Sequence, residues 1–87
     1  MTTFPVLVEV TLRPDVADPQ GATIERALPA LGFDHVAGVR VGKAVRFTVD
    51  ASSEPAARTL VEELCRRFLT NPVIEDATIT FGTPGGT

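Results

Sequence analysis

Tryptophan and tyrosine are missing from this 87-residue chain, which has 5 phenylalanines but only one histidine, one cysteine and one methionine. With no larger aromatics than phenylalanine, a core has to be filled by Val, Leu, Ile and Ala, and the 44% hydrophobic content is enough to do so. A single cysteine, Cys65, excludes an intramolecular disulfide, and a single histidine, His35, excludes a histidine pair on a metal. No run comes near the ~20 apolar residues of a membrane-spanning helix, and the chain does not open on a basic segment followed by an apolar stretch. A cytoplasmic protein with no membrane partner is expected. Basic residues are outnumbered 8 to 11, for a net charge of -3 and a pI near 4.9. That balance offers no clustered basic face for a phosphate backbone, so nucleic acid is not expected as a partner.

Sets of residues that could do chemistry are equally scarce. His35 lies between Asp34 and Val36 in what reads as a surface turn. Cys65 falls near the C-terminal end of a predicted helix, where the dipole has the wrong sign for activating a thiol. Glu75 and Asp76 are adjacent, so in a strand they point to opposite faces rather than share a proton. Val41-Gly42-Lys43 is the only glycine-lysine element, and it is expected to join two strands, whereas a phosphate cradle needs several glycines between strand and helix. No catalytic, cofactor-binding or metal-ligating residue is nominated.

What is present is a clear alternation of patterns. Val6, Val8, Val10 and Leu12 recur at every second position, the mark of a strand from Phe4 to Leu12 with one face in a core. Arg13-Pro14-Asp15 turns the chain. Asp18 then supplies an N-cap and Pro19 a first helical residue with no amide to lose, so a helix starts here. Ile24, Ala27, Leu28 and Leu31 form its apolar stripe, which should face a sheet or another helix. Pro29 interrupts that helix or kinks its last turn. Gly32 is the expected left-handed terminator, and Phe33 is expected to fold back over the stripe.

Val36–Val41 and Ala44–Val49 are predicted to form a β-hairpin about the two-residue turn Gly42-Lys43, with Arg40 near its tip. Ser53-Glu54-Pro55 starts a second helix with Ala57, Leu60, Val61, Leu64 and Phe68 on one face, and with Glu62 and Glu63 placed to pair with Arg66 and Arg67. Asn71-Pro72 ends it. A last strand runs from Val73 to Phe81, with Ala77, Ile79 and Phe81 alternating against Thr78 and Thr80. The order is βαββαβ: a small α+β domain with a mostly antiparallel sheet and two helices on one face. Residues 1–87 make one domain, with 4–81 its ordered core and 82–87 a flexible tail. A chain this small buries only ~60 to 65% of its unfolded surface, so it is expected to need a partner.

Asp18-Pro19-Gln20-Gly21 after a Val-rich strand, then Val39-Arg40-Val41-Gly42-Lys43, then Asn71-Pro72-Val73-Ile74-Glu75-Asp76, with Cys65 in the second helix, together resemble the PurS subunit family of phosphoribosylformylglycinamidine synthase. The resemblance covers residues 4 to 81; Pro29 and the glycine-rich tail depart from it. It implies a cytoplasmic purine-biosynthesis complex in which a glutaminase subunit releases ammonia and a large synthetase subunit uses ATP and Mg to amidate formylglycinamide ribonucleotide. The small subunit is implied to be a homodimer that bridges the other two, an accessory chain of an ATP-dependent amidoligase with no catalytic residue and no cofactor of its own. Exposed strand edges suit such contacts, because unpaired edges invite another chain.

The expected partner contacts are Asp18, Gln20, Gly21, Arg40, Gly42 and Lys43, on loops held by a rigid scaffold. Gly21 costs ~1 kcal/mol against Ala inside a helix and is read as making room for a partner's backbone, with Gln20 bonding across the contact. The alternative is a free-standing regulatory domain that binds a small metabolite as a dimer. A small enzyme built on Cys65 or His35 would lack an activating partner for either.

Overall fold

The computed structural model describes residues 1–82. The chain runs through β1 (Thr2–Leu12), α1 (Pro19–Ala27), a 3-10 turn (Pro29–Leu31), β2 (Gly42–Ala51), α2 (Glu54–Leu64), a π turn (Cys65–Leu69) and β3 (Glu75–Phe81). The three strands form one antiparallel sheet in the order β2-β1-β3. The α+β class, the antiparallel sheet and the two helices are as the sequence pattern predicts.

Alternation in β1 sorts the sheet into two faces. Val6, Val8 and Val10 are buried on one of them, and Val61 of α2 and Cys65 of the π turn pack onto them, with Phe47, Val49, Ile79 and Phe81 half-buried around the rim. Val8 sits between Val45 on one neighbour and Ile79 on the other. Val8, Val10 and Val61 are the largest fully buried side chains, each contributing roughly 1.5 to 3 kcal/mol of burial. At the rim, the Phe4 and Phe81 rings meet edge to face at 6.2 Å, and the Arg58 guanidinium lies 4.9 Å from the Phe81 centroid.

Among the described residues the sheet has three strands rather than four. Residues 36–41 carry no strand, and Gly42-Lys43 is not a turn: both residues lie in β2, opposite Thr11 and Val10. The alternation from Val39 to Val49 belongs to one strand and the extended segment leading into it, whose amides are taken by side chains instead of a neighbouring strand. Gly42 is needed for space rather than for a positive φ, because a Cβ there would stand 2.6 Å from the Val10 carbonyl oxygen. Arg40 is therefore at no hairpin tip.

Pro29 has the predicted effect. α1 stops at Ala27, and the Glu25 carbonyl, which a residue-29 amide would have served, accepts instead from Leu28 at 3.4 Å. Gly32 closes the 3-10 turn at φ 92°. The apolar stripe of α1 does not face the sheet, however. Gly21 is the only buried residue of that helix, Ile24 and Leu31 are exposed, and Phe33 stands 56% exposed rather than folded back.

The stripe of α2 divides in two. Ala57, Val61 and Cys65, spaced by four, are buried, whereas Leu60, Leu64 and Phe68, also spaced by four, are exposed. A spacing of four outruns the 3.6-residue period, and the π turn takes up the drift. The Thr70 amide and hydroxyl both donate to the Cys65 carbonyl, at 2.9 and 2.6 Å, closing the wide turn, so that Leu69 reaches the core and Phe68 turns outward at 80% exposure. Glu63 alone pairs with both Arg66 and Arg67, at 2.5 and 3.3 Å. β3 starts at Glu75 instead of Val73, because Asn71 holds residues 72–74 in a turn through bonds from the Val73 and Glu75 amides. Of the expected tail, only Gly82 is among the described residues, and its amide donates to the Pro5 carbonyl at 2.8 Å.

The radius of gyration is 16.4 Å and the extents are 53 × 31 × 14 Å, whereas a compact domain of this length would have a radius near ~12 Å. Residues 18–41 leave the sheet after Leu12 and return at Gly42, and α1 within them packs chiefly against its own 3-10 turn rather than against the sheet, so that they form an arm at that end of it.

Candidate interaction site

The arm is held at its base by side chains bonding to backbone. Asp18 caps α1 through Oδ1, which accepts from the Gly21 amide at 3.0 Å, and its Oδ2 accepts from the Val41 amide at 2.7 Å. One carboxylate thus satisfies an otherwise unpaired helix amide and fixes the chain entering β2. These two bonds, with the nearby Arg40 guanidinium, hold the Asp18 carboxyl below the usual aspartate range. Seven residues on, Glu25 Oε1 accepts from the Val39 amide at 2.9 Å. Arg40 Nη2 donates to the Arg13 and Val16 carbonyls at 2.9 and 2.8 Å. Arg13 in turn bonds the Pro72 carbonyl at 2.6 Å and pairs with Asp76 at 3.3 Å, tying this junction to the start of β3.

Gly21 has an explanation inside the chain. A Cβ at this position would lie 2.4 Å from the Val39 carbonyl oxygen and 2.7 Å from Asp18 Oδ2. The backbone that approaches the first turn of α1 is therefore the chain's own, which corrects the reading of Gly21 as room for a partner. Arg40 is likewise committed to internal carbonyls. Asp18, Gln20, Gly42 and Lys43 do come together: with Val10, Leu12, Val41 and Glu75 they line a shallow hollow of about 240 Å³ at the end of the sheet. Gln20 and Lys43 are exposed there.

Two apolar surfaces were not identified as contacts from the sequence. One is the arm, with Ile24, Leu31, Phe33 and Val36 exposed; the other is the outer stripe of α2, Leu60, Leu64 and Phe68, flanked by Glu63 and Arg67. Clusters of this kind on a small protein mark places where another surface sits. The signal for the second was legible as two parallel series spaced by four in α2, only one of which a single sheet face can cover.

The residues weighed for chemistry stay apart. Cys65 is buried, and burial together with the Glu62 charge pushes its thiol pKa up, away from the thiolate a nucleophile needs. His35 is in an exposed turn. Glu75 accepts from the Asn71 amide at 2.7 Å, while Asp76 faces Arg13. Among the described residues, no group of three or more His, Cys, Asp and Glu side chains could hold a metal ion, and no helix is long and apolar enough to cross a membrane.

The family model described as PurS, phosphoribosylformylglycinamidine (FGAM) synthase, matches residues 5–82. A phosphoribosylformylglycinamidine synthase subunit PurS from Synechocystis is 41% identical over 69 residues, covering 79% of this chain and 69% of that protein. The Bacillus subtilis PurS subunit is 38% identical over 73 residues, covering 84% and 86%. Among solved structures, a chain in the structure of PurLQS from Thermotoga maritima superposes with a TM-score of 0.88 at 33% identity, over 94% of this chain and all of that one.

Proposed function

This chain belongs to the PurS family of phosphoribosylformylglycinamidine synthase, and from that premise we propose that it works as the enzyme's small, non-catalytic subunit, bridging a glutaminase subunit and a large synthetase subunit. ATP, Mg and glutamine are used by the complex, and this chain binds none of them. The observation that carries the reading is the pairing of two uncovered apolar surfaces with the dispersal of every side chain weighed for chemistry. A domain that exposes Phe33, Leu31 and Phe68 while burying its one thiol is equipped for contact rather than for bond making.

The first partner is a second copy of the chain. Among the described residues both outer strands, β2 and β3, have an edge with no strand beside it in the sheet order, and Ile24, Leu31, Phe33 and Val36 of the arm leave apolar surface exposed. Gln20 and Lys43, exposed on the hollow beside Gly42, remain candidate contacts for the larger subunits. The alternative of a free-standing metabolite-binding domain is less well supported, because a structural relative sits in a PurLQS structure.

The test is glutamine-dependent amidation by the two larger subunits, measured with and without this chain. A rate that needs the chain is expected, and an equal rate in its absence would refute the subunit reading.

A further inference from the structure

The arm has almost no core of its own, with Gly21 its single buried residue in α1. Apolar packing therefore does not hold its direction. Four hydrogen bonds do so instead: Val41 to Asp18, Val39 to Glu25, and Arg40 to the Arg13 and Val16 carbonyls. In each, a charged side chain meets a backbone group on a segment that has no strand beside it, and charge-assisted bonds of this kind are the stronger ones. Asp18 and Glu25 lie at and in α1 and Arg40 in the extended segment before β2, and none of the three is one of the arm's exposed apolar residues.

We infer that Asp18, Glu25 and Arg40 are positioning residues for assembly, forming a polar latch that presents the arm's apolar side chains in the direction a second copy of the chain requires. This rests on the proposed role of the arm as an interface. A surface with several orientations binds with an affinity reduced by the fraction of time spent in the competent one. The latch raises that fraction without touching the partner, which explains why charged residues near an interface are turned inward to their own backbone.

Glu25 and Asp18 allow the latch to be separated from the helix cap. Glu25→Ala removes the bond to Val39, and Glu25→Gln keeps an oxygen for it. Asp18→Ser keeps a cap for the Gly21 amide but has no second oxygen for Val41. The experiment is sedimentation of the full chain over a concentration series, together with amide exchange at Val39, Val41 and the β1 residues. Glu25→Ala and Asp18→Ser are expected to expose the Val39 or Val41 amide, to leave β1 protected, and to weaken self-association about 10- to 100-fold, with Glu25→Gln restoring it. Association as tight as wild type despite exposed amides, or weakening in Glu25→Ala that Gln does not restore, overturns the inference and leaves the interface reading intact. A wild-type chain that stays monomeric at every concentration overturns the second-copy reading, and this inference with it.

Discussion

Asp18 and Val41 are 23 positions apart and are joined by a hydrogen bond of 2.7 Å, the Val41 amide donating to the same carboxylate that caps α1. The start of a helix and the entry to a strand are thereby one structural event. Acid sensitivity follows. The Asp18 carboxyl is held below its ordinary 3.8 by bonds from the Gly21 and Val41 amides. Its contribution to stability is therefore complete above that ordinary value and is lost as pH falls through the lower folded value. Exchange protection at Gly21 and Val41 should disappear together as the pH falls through that lowered value, and Asp18→Asn should remove that pH dependence. Separate loss at the two amides would disprove the shared bond.

Gly21→Ala should destabilise the protein even though Ala favours a helix by ~1 kcal/mol. The added Cβ would lie 2.4 Å from a backbone oxygen of Val39, which cannot rotate away. A lowered urea midpoint is the expected outcome; a raised one would mean the arm opens freely at its base.

The two series of α2 should behave differently. Val61→Ala, at a position 1% exposed, should cost about 2 to 3 kcal/mol from lost burial and the cavity left behind. Leu60→Ser and Phe68→Ser should change stability at a concentration where the chain is monomeric by under about 0.5 kcal/mol, yet weaken association with a second copy or a larger subunit. Denaturation and sedimentation of the same samples would reveal a variant that breaks this division.

Arg40→Ala and Lys43→Ala should also part company. Arg40 holds two carbonyls of the turn after β1, so its loss should lower the melting temperature. Lys43 is exposed on β2, and its loss should leave melting unchanged and reduce recovery of the synthetase subunit on a tagged chain. Undiminished recovery would remove Lys43 from the contact.

Cys65 should alkylate slowly in the folded chain at pH 8 and rapidly in denaturant, because burial and Glu62 disfavour its thiolate. Mass spectrometry after iodoacetamide would detect the opposite order.

Local chemistry made much of this molecule legible in advance. Alternating valines wrote β1, Asp18 and Pro19 wrote the start of α1, Pro29 wrote its end, and Ser53 wrote the start of α2. In each case the signal and the structure lie within a few residues of one another. The resemblance carried by the Asp18–Gly21, Val39–Lys43 and Asn71–Asp76 stretches gave the family. The segment before β2 is not legible in this way, because a period of two marks extended backbone and is silent on whether the neighbour is a strand or a carboxylate from a helix. Gly21 is similar: a missing side chain shows that something comes close, and only the fold shows that it is Val39. Which apolar stripe is covered was also a tertiary decision, since one sheet face has width for Val61 and Cys65 but leaves Leu60, Leu64 and Phe68 to meet another surface.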